Sequence, residues 1–423
     1  MENEYLKIAE QTRKFKTVQN LMRHINKGTL YQKHKIQLQK KAAGVDGITK
    51  SEYNSNINNN LEDLVGKMKT FSYKPQPVKR VYIPKTGSNK LRPLGIPAYE
   101  DKLVQGVMAD ILTVIYEPKF KDFSYGFRPN RSCHNAIIEL KKIIITKKTG
   151  IVVDADIKGF FDNVDHHWLI KFLEHDIEDK NFIRYIKRFL MSGIMEQGKF
   201  TESDKGTLQG GLISPILANV YLHYILDLWF EKEITNKFNG EAYMVRYADD
   251  FVCCFKYEGE AVKFYKMLKE RFRKFGLELA EDKSKIMRFG RYAKEHGSTE
   301  TFDFLGFTHI NGIGKNGKYI VVHQTSKKKL TSKKAIAKEW LHQNIHEDKC
   351  ELVKTLNKKL IGHYRYYGVT CNYHKIRMFA TYVREQLFKT LNKRSQKTMN
   401  WDTFNKFLKY NPIAKPKIYV SLL

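Results

Sequence analysis

The chain has 423 residues, 42% of them hydrophobic, and carries 75 Lys+Arg against 45 Asp+Glu, a formal net charge of +30. That length allows two or three domains with a sizeable core, and the positive excess points to a polyanionic partner such as nucleic acid. Its five cysteines include no CxxC pair, which sets aside a zinc site or disulfide framework. Scattered reduced thiols suit a cytosolic protein. No apolar run reaches the roughly 18 residues of a membrane span, and "MENEYLKIAEQTRKFK" lacks the apolar centre of a signal peptide.

Residues 1 to about 80 are basic and helical in pattern, ending where Pro75 and Pro77 break the helix. "VYIPKTGSNKLRPLGIP" then predicts a basic β-hairpin about a Gly-Ser-Asn turn. From Asp101 to Pro118, Val104, Val107, Met108, Ile111, Leu112 and Ile115 make one helical stripe, and another helix is expected from Cys133 to about Ile145. The apolar strand "GIVVDADI" leads to helices near 166–176 and 181–192, with Asp162 and Asp165 as helix-starting residues. After the Gly-rich turn "KGTLQGGLISP" come a long helix from about Ile216 to Lys232 and the hairpin "VRYADDFVCCF". A helix at 260–275 and strands near 285–289 and 301–309 complete a central α+β domain. Beyond about Lys318 a helical, very basic pattern is expected; residues 321–423 hold 22 Lys+Arg against 6 Asp+Glu.

The carboxylates raise a chemical question. In a strand, side chains alternate, so Asp154 and Asp156 share a face, and acids in such an apolar strand are costly unless paired or metal-bound. Asp249-Asp250 in the hairpin offers a second acidic element. Alone, an Asp-Asp pair is turn chemistry; two acidic elements in apolar strands together point to a shared cluster. With no soft ligands nearby, an oxygen-only cluster suits Mg²⁺, which binds through a few carboxylates plus substrate phosphates. Two such ions, with Mn²⁺ as a substitute, can activate a hydroxyl and stabilise leaving pyrophosphate.

At these residues the chain resembles the bacterial group II intron-encoded reverse transcriptases and maturases. "GVDG", "YKPQPVKRVYIPK", "LRPLGIP", "YGFRPNRSCHNAI", "DADIKGFFDNVDH", "GTLQGGLISPILANVYL", "VRYADDF", "GLELAEDKSKI" and "FDFLGF" follow the family order from residue 44 to 307, and "LIGHYRYYGV" is similar to the maturase X region. The resemblance implies a right-hand polymerase: an N-terminal extension and start of fingers at 1–80, fingers and palm at 81–310, and a basic helical thumb at 311–423. It implies catalytic carboxylates at Asp156, Asp249 and Asp250, and a backbone-carbonyl metal contact at Ile157. It further implies a ribose gate at Phe161, triphosphate-binding Lys85 and Arg92, nucleotide contacts at Gln209 and Gly210, and a pyrophosphate-protonating Lys283. Phe161 can also be read as core, Lys85 and Arg92 as solvated hairpin charges, and Lys283 competes with Lys285.

One departure is Leu208, where the family carries Pro before the Gln; losing a fixed φ loosens that turn. Another is the long approach to "GVDG", and the sequence shows no Cys- and His-bearing endonuclease tail. The implied partners are an RNA template with its primer, group II intron RNA and a DNA target, with monomer or dimer undecided. An intron-independent enzyme of the same lineage, recruited to repair or phage defence, is the alternative.

Overall fold

A computed structural model describes residues 5–84, 91–202, 204–207, 210–393 and 398–422. They fall into two compact units. The first runs to Pro84 and continues through the described residues up to Ala136 and through Val152–Ile286; the second takes Ile137–Ile151 and the chain from Met287 onward.

A four-stranded sheet, most of it in the first unit, is ordered Ala242–Tyr247, Asp250–Phe255, Ile151–Ala155, Lys285–Arg288. Phe251, Val252, Cys253, Cys254 and Phe255 are all buried. That explains why "DFVCCF" reads as one apolar run rather than an alternation: the strand is central and covered on both faces. The helix Tyr99–Tyr116 buries all six residues of its predicted stripe. Asp165 caps the helix His166–Asp176 by accepting from Trp168 N at 2.9 Å, as the sequence suggests.

A second sheet carries the basic hairpin. Val78–Pro84 pairs antiparallel with Leu91–Ile96 and parallel with Ile194–Glu196, which in turn pairs with Lys199–Thr201. The short 194–201 hairpin has too few residues for a periodic signal and is absent from the sequence reading.

The expected helix from Ile216 starts at Ser214, with Pro215 in its first turn, and changes character on the way. Ser214–Leu222 is α-helical, His223–Asp227 and Phe230–Ile234 are π-helical, and Thr235–Lys237 is α-helical again.

Two expectations in the second unit are corrected. The 301–309 strand is two strands, Thr301–Phe304 and Phe307–Ile313, because Leu305 (φ 49°) and Gly306 (φ 80°) reverse the chain. The helical region does not begin near Lys318: Tyr319–Thr325 is a strand paired with Phe307–Ile313, His309 opposite His323. Helix starts at Lys327, capped by Ser326. Beyond it, Lys349–Tyr367, Tyr373–Asn392 and Trp401–Tyr410 pack about Leu352, Leu356, Leu360, Ile376, Val383 and Leu387.

Candidate active site

The acidic hairpin closes on two residues. Tyr247 pairs with Asp250, leaving Ala248 and Asp249 as the turn. Ala248 adopts φ 58°, a left-handed conformation that costs energy for a residue with a Cβ. Asp249 is therefore aimed by the turn and half-buried, while Asp250 opens its strand and is exposed.

Asp156 lies one residue past the strand Ile151–Ala155 and is partly exposed. Its carbonyl accepts from Ala280 N at 2.8 Å, and Lys158 N donates to Glu278 O at 2.9 Å. Ile157 faces Leu279 between these two bonds, so the bridge uses the backbone groups on either side of the Ile157 carbonyl. Immediately beyond, Lys283 N and Ser284 N both donate to Ala280 O at 2.9 Å. This tight turn presents Lys283 Nζ to Asp156 Oδ2 at 2.6 Å.

The charges of these groups are coupled. Burial pushes the Asp249 carboxyl up, and the charge of Asp156 adds to that, while Arg92 and Arg246 oppose it. Lys283 is held above the usual lysine range by its hydrogen bond to Asp156, and the charges of Asp282 and Asp250 help. Asp156, Asp249, Asp250, Lys283 and Arg92 thus share one electrostatic neighbourhood, although some lie more than a hundred residues apart in sequence.

Arg92 is exposed on the basic hairpin, opposite Ile83. Phe161 is half-buried and lines a cavity of about 630 Å³ with Arg80, Pro93, Gly95, Asp162 and Thr207. Gly210 has φ 112°, and a Cβ there would lie 2.4 Å from the Gly95 carbonyl oxygen, so only glycine fits. Lys85, Leu208 and Gln209 lie outside the described residues.

The family described as "Reverse transcriptase (RNA-dependent DNA polymerase)" matches residues 83–309, the stretch that carries Asp156, Asp249, Asp250, Lys283, Arg92 and Phe161. The chain belongs to the reverse transcriptase family. It is an RNA-directed DNA polymerase, similar over most of its length to proteins encoded in introns. Group II intron-encoded protein LtrA of Lactococcus lactis subsp. cremoris is 28% identical over 85% of this chain and 72% of that protein. Protein YkfC of Escherichia coli (strain K12) is 35% identical over 54% of this chain and 64% of its own. Nuclear intron maturase 2, mitochondrial, of Arabidopsis thaliana is 25% identical over 32% of this chain and 24% of its own.

Beneath the hairpin of this reverse transcriptase lies a group that sequence reasoning missed. Arg246 and Asp227 are fully buried, and Asn219 nearly so. Arg246 Nε donates to Asp227 Oδ1 at 2.7 Å, and its Nη1 donates to Asn219 Oδ1 at 3.1 Å and to the Ala248 carbonyl at 3.0 Å. Burial alone would raise Asp227, but the Arg246 charge and hydrogen bonds, with His223 Nδ1 3.8 Å away, hold its carboxyl below the usual range. An arginine in an apolar strand is the one available signal, since a buried guanidinium requires a buried acid.

Among the described residues, no helix is long and apolar enough to cross a membrane, and no three His, Cys, Asp or Glu side chains form a ready-made metal cage.

Proposed function

We propose that Asp156, Asp249 and Asp250 hold divalent metal at the primer terminus and that this enzyme extends primers with deoxynucleotides on RNA. The observation that carries this reading is the mutual field of Asp156, just past the end of one strand, and Asp249, in the turn of a hairpin, whose like charges penalise one another until a cation joins them. The donors fit Mg²⁺ in kind: they are hard oxygens, and Mg²⁺ takes one or two carboxylates and completes its shell with water and substrate phosphate rather than a protein cage. When bound, the metal supplies charge for the phosphates and lowers the pKa of the attacking hydroxyl.

The chain's own groups do the rest. Arg92, with Lys85, binds the triphosphate from the basic hairpin. Gln209 and the backbone at Gly210 border the nucleotide, and the Phe161 ring crowds a ribose 2′-hydroxyl. The Ile157 carbonyl adds an oxygen beside Asp156. Lys283 Nζ holds a proton against Asp156 and releases it to the departing pyrophosphate. Residues 1–80 serve as extension and first part of the fingers, 81–310 as fingers and palm, and 311–423 as thumb.

The same chain acts as a maturase that binds its group II intron RNA and assists splicing. Similarity to an intron-encoded protein and an intron maturase supports this, as does the helix Lys327–Gln343, which exposes Lys327, Lys328 and Lys338. RNA-templated primer extension by the full chain, with Asp249→Asn as comparison, tests the polymerase site. Loss of extension in the variant is expected; equal extension by both proteins would remove these acids from the chemistry.

A further inference from the structure

The turn that aims Asp249 is conformationally unfavourable by itself. Ala248 sits at φ 58° with a Cβ, and a hairpin of this kind ordinarily places glycine or asparagine there. Something outside the turn must hold it. Three contacts do so. Arg246 Nη1 donates to the Ala248 carbonyl at 3.0 Å. The backbone of Arg246 is bracketed by the 123–125 segment, with Arg246 N donating to Phe123 O and Tyr125 N donating to Arg246 O, both at 2.8 Å. Gly126 packs so closely that a Cβ there would fall 2.2 Å from Ala248 N.

Arg246 is itself fixed from the helix that crosses beneath it. In a regular α-helix, residues eight apart fall about 80° out of line. Asn219 and Asp227 are eight apart, yet both reach the same guanidinium. The π-helical turn His223–Asp227 lies between them, and its wider turn takes up the misalignment. Asn219 also donates from Nδ2 to the Gly126 carbonyl at 2.7 Å, tying the helix to the loop that abuts Ala248.

We propose that Arg246, clamped by Asp227 and Asn219 across this π-turn, is a positioning residue that keeps Ala248 left-handed and so aims the Asp249 carboxylate. The inference rests on Asp249 belonging to the catalytic site. Its effect is geometric: a misplacement of about 1 Å at a reacting group can cost about 100-fold in rate.

The test uses the full chain and two variants, Arg246→Lys and Asn219→Ala, with Asp249→Asn as reference. Arg246→Lys keeps the charge but loses the forked geometry; Asn219→Ala removes two hydrogen bonds and introduces no new charge. RNA-templated primer extension is titrated with Mg²⁺ and with deoxynucleotide, and rates are divided by the folded fraction from circular dichroism. The account expects kcat to fall by about tenfold or more and half-saturating Mg²⁺ to rise several-fold, with the nucleotide KM little changed. A structural role would lower the folded fraction and leave the Mg²⁺ requirement of the folded molecules unmoved. Wild-type Mg²⁺ dependence and kcat in folded Asn219→Ala would overturn the proposal, whether or not Arg246→Lys folds. Full activity of Asp249→Asn would instead overturn the site assignment beneath it.

Discussion

Lys283 reaches from a turn at residues 280–284 to place its ammonium 2.6 Å from Asp156 Oδ2. The pair is more exposed than buried on the lysine side, and ion pairs of that kind contribute at most about 1 kcal/mol. Its importance is therefore chemical. Lys283→Ala should leave the melting temperature nearly unchanged while slowing primer extension at saturating nucleotide. Lys285→Ala should keep wild-type rates; the reverse pattern would transfer the proton-donor role to Lys285.

Gly126 offers a steric test of the hairpin's support. A Cβ placed 2.2 Å from Ala248 N must move backbone rather than a flexible side chain, and such overpacking costs about 1–3 kcal/mol. Gly126→Ala should lower the thermal midpoint and depress activity further than the unfolded fraction accounts for. Wild-type activity in this variant would show that the turn tolerates displacement.

Phe161 faces a cavity rather than a closed core. Replacing its ring with a smaller side chain should relax discrimination against ribonucleotides about tenfold or more while retaining deoxynucleotide incorporation. Competition between the two nucleotide types on one primer–template measures this. Unchanged selectivity in Phe161→Val would assign the ring to packing alone.

The second unit should be acid-sensitive. His309 and His323 face each other across adjacent strands with ring centroids 4.7 Å apart. Burial, with the His323 charge, holds His309 well below the usual 6.5; burial, with the Lys141 charge, pushes His323 down to about 3. Both imidazoles thus bind more protons unfolded than folded in this range. Their contribution is complete above about pH 6.5 and is lost as pH falls toward 3, with a slope of at most about 1.4 kcal/mol per pH unit for each group. Urea midpoints of the full chain at pH 7.5 and 5.5 should differ accordingly, and a His309→Phe, His323→Leu variant should flatten the difference. An equal pH slope in wild type and variant would contradict the assignment.

The long elements of this enzyme are legible because burial has a period. The stripe on Tyr99–Tyr116 and the apolar strands Ile151–Ala155 and Asp250–Phe255 all fall where their side-chain patterns put them. Asp156 and Asp249 stand out in the sequence as acids beside apolar, strand-forming runs, although one lies just past its strand and the other in a turn. What stayed hidden depends on contacts between distant residues. Nothing local marks the π-turn at His223–Asp227, whose register is set by Arg246 docking from another strand. Nor does composition separate the Tyr319–Thr325 strand from the basic helix that follows, since its partner lies in the preceding hairpin. Gly126 reads as loop punctuation until Ala248 is seen against it.

The central claim is that Asp156 and Asp249 act as one unit on one metal-bearing site. A double-mutant cycle of RNA-templated single-nucleotide incorporation, with Asp156→Asn, Asp249→Asn and the double variant, reads this directly. Groups that work together lose their function together, so each single variant should lose about 1,000-fold or more and the double variant should be scarcely worse than either. Two moderate losses that multiply in the double variant, or a single variant with wild-type incorporation, would contradict it.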